Sequence, residues 1–192
     1  MVSCILRLAP SHASLFWKAN PNCMTWLNSQ PSKSVLYVSF GTTVKLTGEQ
    51  IIEFWYGLVN SGHRFLWAIY SDIPSGSNCV ELEKATKERG YMVDWVSQEE
   101  VLAHWAVGWF LTHSGWNSTM ESIVADIPMI CWPYFGDQYI ISKSVCDDWK
   151  VGLRLNENCE RKNIETTIRT LMEFKKEEIQ SSINGCNFKS ST

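Results

Sequence analysis

The chain contains no apolar run approaching the roughly 20 residues that cross a bilayer as a helix. Its longest hydrophobic stretches are strand-sized and broken by Gly, Pro or charge, so no membrane span is expected. It has no excess of positive charge: 17 Lys and Arg stand against 20 Asp and Glu, a net charge of -3 at pH 7. That balance gives no broad field for nucleic acid or an anionic membrane, and any phosphate recognition must be local. The seven cysteines are an odd, widely spaced set with no Cys-x-x-Cys and no paired histidines beside them. Neither a disulfide framework nor a zinc site is expected, and the thiols read as reduced, in a cytoplasmic protein. Internal repeats and low-complexity tracts are also lacking. Residues 1–17 carry Arg7 and a short patch at Ile5 and Leu6, but no longer apolar region leading to a cleavage site, so no signal peptide is expected.

What is present is 192 residues at 45% hydrophobic and 19% charged, enough apolar material for one compact core. Ser34 to Phe40 is a β-branched and aromatic run closed by Gly41, the pattern of a buried strand and a tight turn. Thr47 to Gln50 fits a capping box. Ile51, Ile52, Phe54, Trp55, Leu58 and Val59 then repeat at helical spacing up to Ser61-Gly62. Strands follow at Arg64–Ile69, Tyr91–Val93, Val107–Leu111, Met129–Trp132 and Val151–Leu155. Helices are expected near Glu99–His104 and over Asn117–Ala125, Asp137–Trp149 and Asn163–Ile179. Ser71 to Cys79 reads as an exposed loop and Ser181 to Thr192 as a frayed tail. The alternation predicts an α/β, Rossmann-like parallel sheet with helices on both faces, whose ligands bind at the carboxyl ends of its strands.

The segments just after Phe40, Val93, Leu111 and Trp132 are rich in Gly, Ser, Thr, His, Trp and Asp. His113-Ser114-Gly115 turns from a strand into a helix whose first amides lack partners, an arrangement suited to an anion. Gly115 leaves room for a ligand to approach the backbone, and His113, Asn117 and Ser118 add donors. Glu121 suits the vicinal hydroxyls of a ribose, Trp95 offers a flat face to a base, and Asp137 and Gln138 suit sugar hydroxyls. Taken singly, each also has an ordinary reading: a strand-end histidine, a core tryptophan, a solvated helix glutamate, an N-cap aspartate.

Their order resembles the signature box of plant family 1 UDP-glycosyltransferases, 44 residues from Trp to Asp-Gln. Trp95 to Gln138 has that length, 138 − 95 + 1 = 44, and carries Val101-Leu102-Ala103-His104, Ala106 to His113, Gly115 to Ser118, Glu121, Pro128 and Trp132-Pro133 at the matching places. The likeness extends over about residues 15–180 and is similar in detail to the group that glucosylates iridoids such as 7-deoxyloganetic acid. It implies the C-terminal, donor-binding half of a GT-B glycosyltransferase, with residues 1–14 unassigned and residues 181–192 a tail. By resemblance, Trp95 stacks on uracil, Val96 and Gln98 meet base and ribose, and Glu121 holds the ribose hydroxyls. Thr42, His113 and Ser118 cradle the pyrophosphate, while Trp116, Asn117, Asp137 and Gln138 meet phosphate and hexose.

The implied reaction is inverting hexosyl transfer, glucosyl by the Gln138 pattern, from a UDP-sugar such as UDP-glucose to a small lipophilic acceptor. No metal or other cofactor is expected. The family's general base is a His oriented by an Asp in an N-terminal domain whose motifs are not found here, and His12 lacks that context. The chain is therefore expected to be a fragment that binds donor without catalysing transfer, with a degenerate fragment without function as the alternative. Asp126 replaces the family's usual Gly, Ser97 a common Pro, Ser114 a common Cys and Tyr70 a common Arg. Asp126 strains its turn if that Gly has positive φ.

Overall fold

The structure is a computed structural model that describes residues 21–69, 77–155 and 158–173. His12, residues 1–14, most of the expected loop at 71–79 and the tail at 181–192 lie outside these. Six parallel strands, β1 (Val35–Ser39), β2 (Arg64–Ala68), β3 (Gly90–Val93), β4 (Val107–Thr112), β5 (Met129–Cys131) and β6 (Gly152–Arg154), form one sheet in the order β3-β2-β1-β4-β5-β6. The chain winds outward one way from β1 through β2 to β3, then returns to the other side of β1 at β4. That reversal opens a crevice between β1 and β4 at their carboxyl ends.

β1 shows why both faces are covered. All five of its residues are buried, and they alternate between two cores: Leu36 and Val38 join one, Val35 and Tyr37 the other. The first core is completed by α2 (Gly48–Ser61), through Ile51, Phe54, Trp55 and Leu58, together with Leu82 of α3 (Ser77–Arg89) and Ile164, Ile168 and Leu171 of α7 (Arg161–Glu173). The second holds Cys23 and Leu27 of α1 (Pro21–Asn28) and Val101 and Leu102 of α4 (Gln98–Leu102). It also takes in Ile141 of α6 (Gln138–Lys143) and Val145 of the π-helical turn Ser144–Asp148 that continues it. α5 (Trp116–Val124) differs, because its buried residues are Ser118, Thr119 and Ser122.

The expected strands and the Rossmann-like plan are present, and the Thr47/Gln50 capping box closes as written in the sequence. Asp126 does take a positive φ, 55°. Three expectations are corrected. The loop does not reach Cys79, because α3 begins at Ser77. This helix was unforeseen because it is polar nearly all round, and Leu82 and Thr86 are its buried positions among residues 82–89. α1 was also unforeseen: Pro21 opens it, and Cys23 and Leu27 bury one short stripe. The helix expected over Asp137–Trp149 changes to π geometry at Ser144.

α7 is tied to α2 by more than apolar contact. The Glu53 carboxylate accepts from the Arg161 backbone amide at 2.7 Å and from its guanidinium Nε at 2.9 Å, while the guanidinium lies 4.1 Å from the Tyr56 ring centroid. Hydrogen bonding to Arg161 holds the Glu53 carboxyl below its ordinary range. Since this pKa is depressed by folding, the stabilisation is complete at neutral pH and lost as pH falls through the folded value. Glu53→Ala is expected to cost about 1 kcal/mol, the scale of a half-exposed ion pair. In urea unfolding, the gap from the parent chain should narrow on acidification.

Candidate functional site

The carboxyl edge of the sheet collects the residues singled out in the sequence. β1 ends at Ser39 and turns through Gly41, whose φ is 69°, into the exposed Thr42. β4 ends at Thr112 and delivers His113, which is 6% exposed. The imidazole fills the space between two glycines. A Cβ on Gly41 would meet His113 Cε1 at 2.7 Å, and one on Gly115 would collide with Nε2. The sequence suggested that Gly115 keeps room for a ligand. The structure corrects this: the room is occupied by the histidine ring, and both glycines are required to hold it.

Ser114, between them, is buried with φ 64°, a left-handed conformation uncommon outside Gly, Asn and Asp. The Thr112 hydroxyl accepts from the Ser114 amide at 3.3 Å and lies 3.5 Å from His113 Nδ1. Burial drives the His113 pKa down to about 4, with the Asp137 carboxylate acting in the opposite sense. At neutral pH the residue is an uncharged hydrogen-bond donor.

α5 begins immediately afterwards. Gly115 provides no side-chain cap, so the first-turn amides carry the helix's partial positive charge to the crevice. Trp116 and Asn117 are exposed there. One turn on, Ser118 and Glu121 meet the chain that follows β3. Gln98 Nε2 donates to Ser118 Oγ at 3.0 Å and to Glu121 Oε2 at 2.6 Å. α4 thus carries the segment from Trp95 to Gln98 back over two strands to α5. Trp95 is half-buried, whereas the Val96 side chain is in the second core, leaving its main chain for contact with a ligand. Burial raises the Glu121 pKa, the Gln98 hydrogen bond opposes the rise, and Glu99 adds to it.

Beyond β5, Asp137 is exposed at the N-cap position of α6 but makes no capping bond, so its carboxylate is uncommitted by α6. Gln138 is 3% exposed, and its Oε1 accepts from the Tyr134 and Phe135 amides at 2.8 and 3.1 Å. Half of this side chain therefore shapes its own loop, and the NH2 end is what remains for a ligand. Thr42, His113, Asn117 and Asp137 are thus gathered along one edge with the Gln98, Ser118 and Glu121 cluster. The sequence reading missed the two glycines as supports for His113 and missed Tyr37, whose hydroxyl donates to Gln98 Oε1 at 3.3 Å. A tyrosine inside an otherwise apolar buried strand was the available signal, since its hydroxyl needs a partner.

Among the described residues, no group of three His, Cys, Asp or Glu side chains is placed to hold a metal, and no helix is long and apolar enough to cross a membrane. Strand order, an uncapped helix start at the switch point and a hydrogen-bonded carboxylate beside it define the class, a Rossmann-like α/β domain of the nucleotide-binding type. Residues 17–183 match the family described as UDP-glucoronosyl and UDP-glucosyl transferase, and the chain belongs to that family.

The 7-deoxyloganetic acid glucosyltransferase of Catharanthus roseus is 55% identical over 168 residues, 85% of this chain and 35% of that protein. Mogroside I-A1 synthase of Siraitia grosvenorii is 47% identical over 182 residues, 90% and 35% of the two chains. Among solved structures, Os79 from O. sativa in complex with UDP superposes with a TM-score of 0.80 at 37% identity, covering 88% of this chain and 38% of that one. Phytolacca americana UGT2 with UDP-2fluoro-glucose and pterostilbene gives 0.79 at 37% identity, covering 88% and 40%. The chain spans about a third of the length of the curated relatives it matches.

The buried His113 sets a pH dependence of stability. Its folded pKa, about 4, lies below the ordinary 6.5, so between these values the unfolded chain binds a proton that the folded chain does not. Stability is complete above about pH 6.5 and falls as the pH drops toward 4, by about 3 kcal/mol for this group. Urea unfolding from pH 7 to 4 is expected to give a steeper loss for the parent chain than for His113→Gln. Equal slopes would show that the histidine is not held neutral.

Proposed function

We propose that this chain is the donor-binding part of a UDP-glycosyltransferase, which moves a hexosyl group, glucosyl by preference, from a UDP-sugar to a small lipophilic terpenoid or phenolic acceptor. The observation that carries this reading is the junction at the β1/β4 crevice, where the open start of α5 and the neutral donor His113 stand beside the Gln98–Glu121 pair. An anion and a diol, one helical turn apart, are what such a pair of features recognises. The names of the relatives, glucosyltransferases among them, and the UDP and UDP-2fluoro-glucose in similar structures support uridine diphosphate as the carrier.

In this reading Trp95 stacks on uracil, while the Val96 main chain and Gln98 meet base and ribose. Glu121 accepts from the ribose hydroxyls. Thr42, Ser118, His113 and the α5 amides surround the diphosphate. Trp116 and Asn117 flank the distal phosphate and sugar, and Asp137 with the free NH2 of Gln138 addresses the hexose hydroxyls. The acceptor oxygen forms its bond to the anomeric carbon on the face opposite the diphosphate. The carbon–oxygen bond to UDP breaks with its electron pair going to UDP, which inverts the configuration.

The negative charge that builds on the diphosphate is met by fixed amide dipoles and the His113 N–H, which need little reorganisation in the transition state. The reading assigns no step to a metal. Since His113 is neutral, it contributes a directed hydrogen bond where a cation would contribute a charge.

The acceptor's proton must pass to a base outside this site. Of the histidines in the described residues, His113 is enclosed by glycines, while His63 and His104 precede β2 and β4 at the opposite edge. His104 also shares a 3.1 Å contact with Asn28. The 192-residue chain is accordingly proposed to bind donor and to transfer no sugar alone. A cytoplasmic setting is part of this proposal; among the described residues Cys23, Cys131, Cys146 and Cys159 are free thiols.

Calorimetric titration with UDP-glucose is expected to give a Kd between micromolar and millimolar, about −8 to −4 kcal/mol. Glu121→Ala and His113→Ala should each weaken binding by about tenfold or more. No binding by folded, monodisperse chain at millimolar ligand would remove the reading. With radiolabelled UDP-glucose and terpenoid and phenolic acceptors, no product above background is expected; turnover abolished by His113→Ala would show that the chain is itself a catalyst.

A further inference from the structure

Gln98 is an unusually constrained residue on an intrinsically weak element. α4 is five residues long, and its N-cap, Ser97, makes no side-chain capping bond. Helices this short gain little from their own hydrogen bonds and take their position from what they touch. Two apolar contacts, Val101 and Leu102, seat the far end of α4 in the second core. The near end is seated by Val96 in the same core and tied to α5 by the Gln98 side chain.

Both N–H groups of that amide have partners, and its oxygen accepts one hydrogen bond. One N–H donates to Ser118 and the other to Glu121, both on α5, while Oε1 accepts from the Tyr37 hydroxyl at 3.3 Å. The Glu121 carboxylate fixes which end of the amide faces α5, because a carbonyl oxygen turned toward it would be repelled. Tyr37 then fixes the other end to the sheet. Its own position leaves no latitude: it is 1% exposed in the middle of β1, and its ring stacks on Phe110 of β4 with centroids 5.0 Å apart. The two strands so linked are the pair that flank the crevice.

We infer that Tyr37 is a positioning residue for the nucleoside end of the donor site: its hydroxyl anchors Gln98 to the sheet, so that Gln98 and Glu121 present one fixed geometry to a ribose diol. The inference rests on the reading of this site as one for a uridine diphosphate carrier. Tyr37 is buried beneath the site and acts through Gln98. What it governs is discrimination: a ribose with both hydroxyls gains from the fixed Glu121 carboxylate, and a deoxyribose gains less.

The test is titration of the full chain with UDP and with 2′-deoxy-UDP, using Tyr37→Phe, Gln98→Leu and the double variant. Tyr37→Phe removes one oxygen and retains the ring stack. It is expected to weaken UDP roughly three- to tenfold, the range of one neutral hydrogen bond, and to weaken 2′-deoxy-UDP less than about twofold. The double variant is expected to bind UDP no more weakly than Gln98→Leu, since the hydroxyl then has no amide to hold. Equal weakening of the two nucleotides by Tyr37→Phe, UDP affinity unchanged by it, or full additivity in the double variant would each overturn the inference.

Gln98→Leu tests the relay from its other end and stands even if Tyr37→Phe does not fold. It should lower the preference for UDP over 2′-deoxy-UDP, and an unchanged preference would overturn the inference. Absence of UDP binding by the parent chain itself would instead remove the functional reading on which the inference stands.

Discussion

The organisation of the site depends on one steric constraint, the enclosure of the His113 ring between Gly41 and Gly115. A side chain on either glycine would overlap the imidazole, so the turn after β1 and the turn after β4 have to close on each other through backbone alone. This brings the ends of the two strands that flank the crevice to a single point and aims the start of α5 at it. The strain of a left-handed Ser114 is the local cost, and the surrounding packing has to impose it. Because the ring is enclosed, it is also desolvated, and its neutrality follows from the same geometry as its position.

That neutrality governs the electrostatics of the edge. A site expected to hold a diphosphate in a chain of net charge -3 would ordinarily be supplied with Lys or Arg. The residues assigned to it include no Lys or Arg; what they offer is the open start of α5 and the His113 N–H, in the neighbourhood of carboxylates at Glu121 and Asp137. Fixed dipoles stabilise a developing charge without having to be reoriented, and they do not compete with the carboxylates for ion pairing. A carboxylate can therefore lie one helical turn from an anion position without neutralising it. The Gln98 amide, bonded to Glu121, further limits the repulsion that an anionic ligand would meet.

Much of this was legible in the sequence. The strands stood out because residues buried on both faces leave long apolar runs, and α2 because a capping box and a wide apolar stripe coincide. The residues of the signature segment were identifiable as a set because their order and spacing are specific. What could not be read were features that exist only through partners distant in the chain. α3 has few buried positions, and Thr86 in it is explained only by the Trp55 indole, which donates to it at 2.7 Å. The space at Gly115 looked open because nothing in sequence says that a histidine two residues earlier folds back into it. Gln138 looked free for a sugar because its bonds to two backbone amides depend on how the loop after β5 closes.

Burial along the site is graded, and the gradient bears on how labour is divided within the longer proteins of this family. Gln98 is bonded to both Ser118 and Glu121, and the three are partly or wholly buried, so the end assigned to the nucleoside is held by bonds within the chain itself. Ordering this end on binding costs little, which favours a tight and uniform grip on the carrier. Thr42, Asn117 and Asp137 are exposed and make no bonds of that kind to one another. The end assigned to sugar and reacting carbon therefore has its donors and acceptors in place without being enclosed by the described residues. A site braced at the end assigned to the nucleoside and open at the end assigned to the sugar can keep the contacts of its braced end while the surface that covers the open end varies among relatives. The different products named for proteins that share this domain at about half identity are what such a division allows.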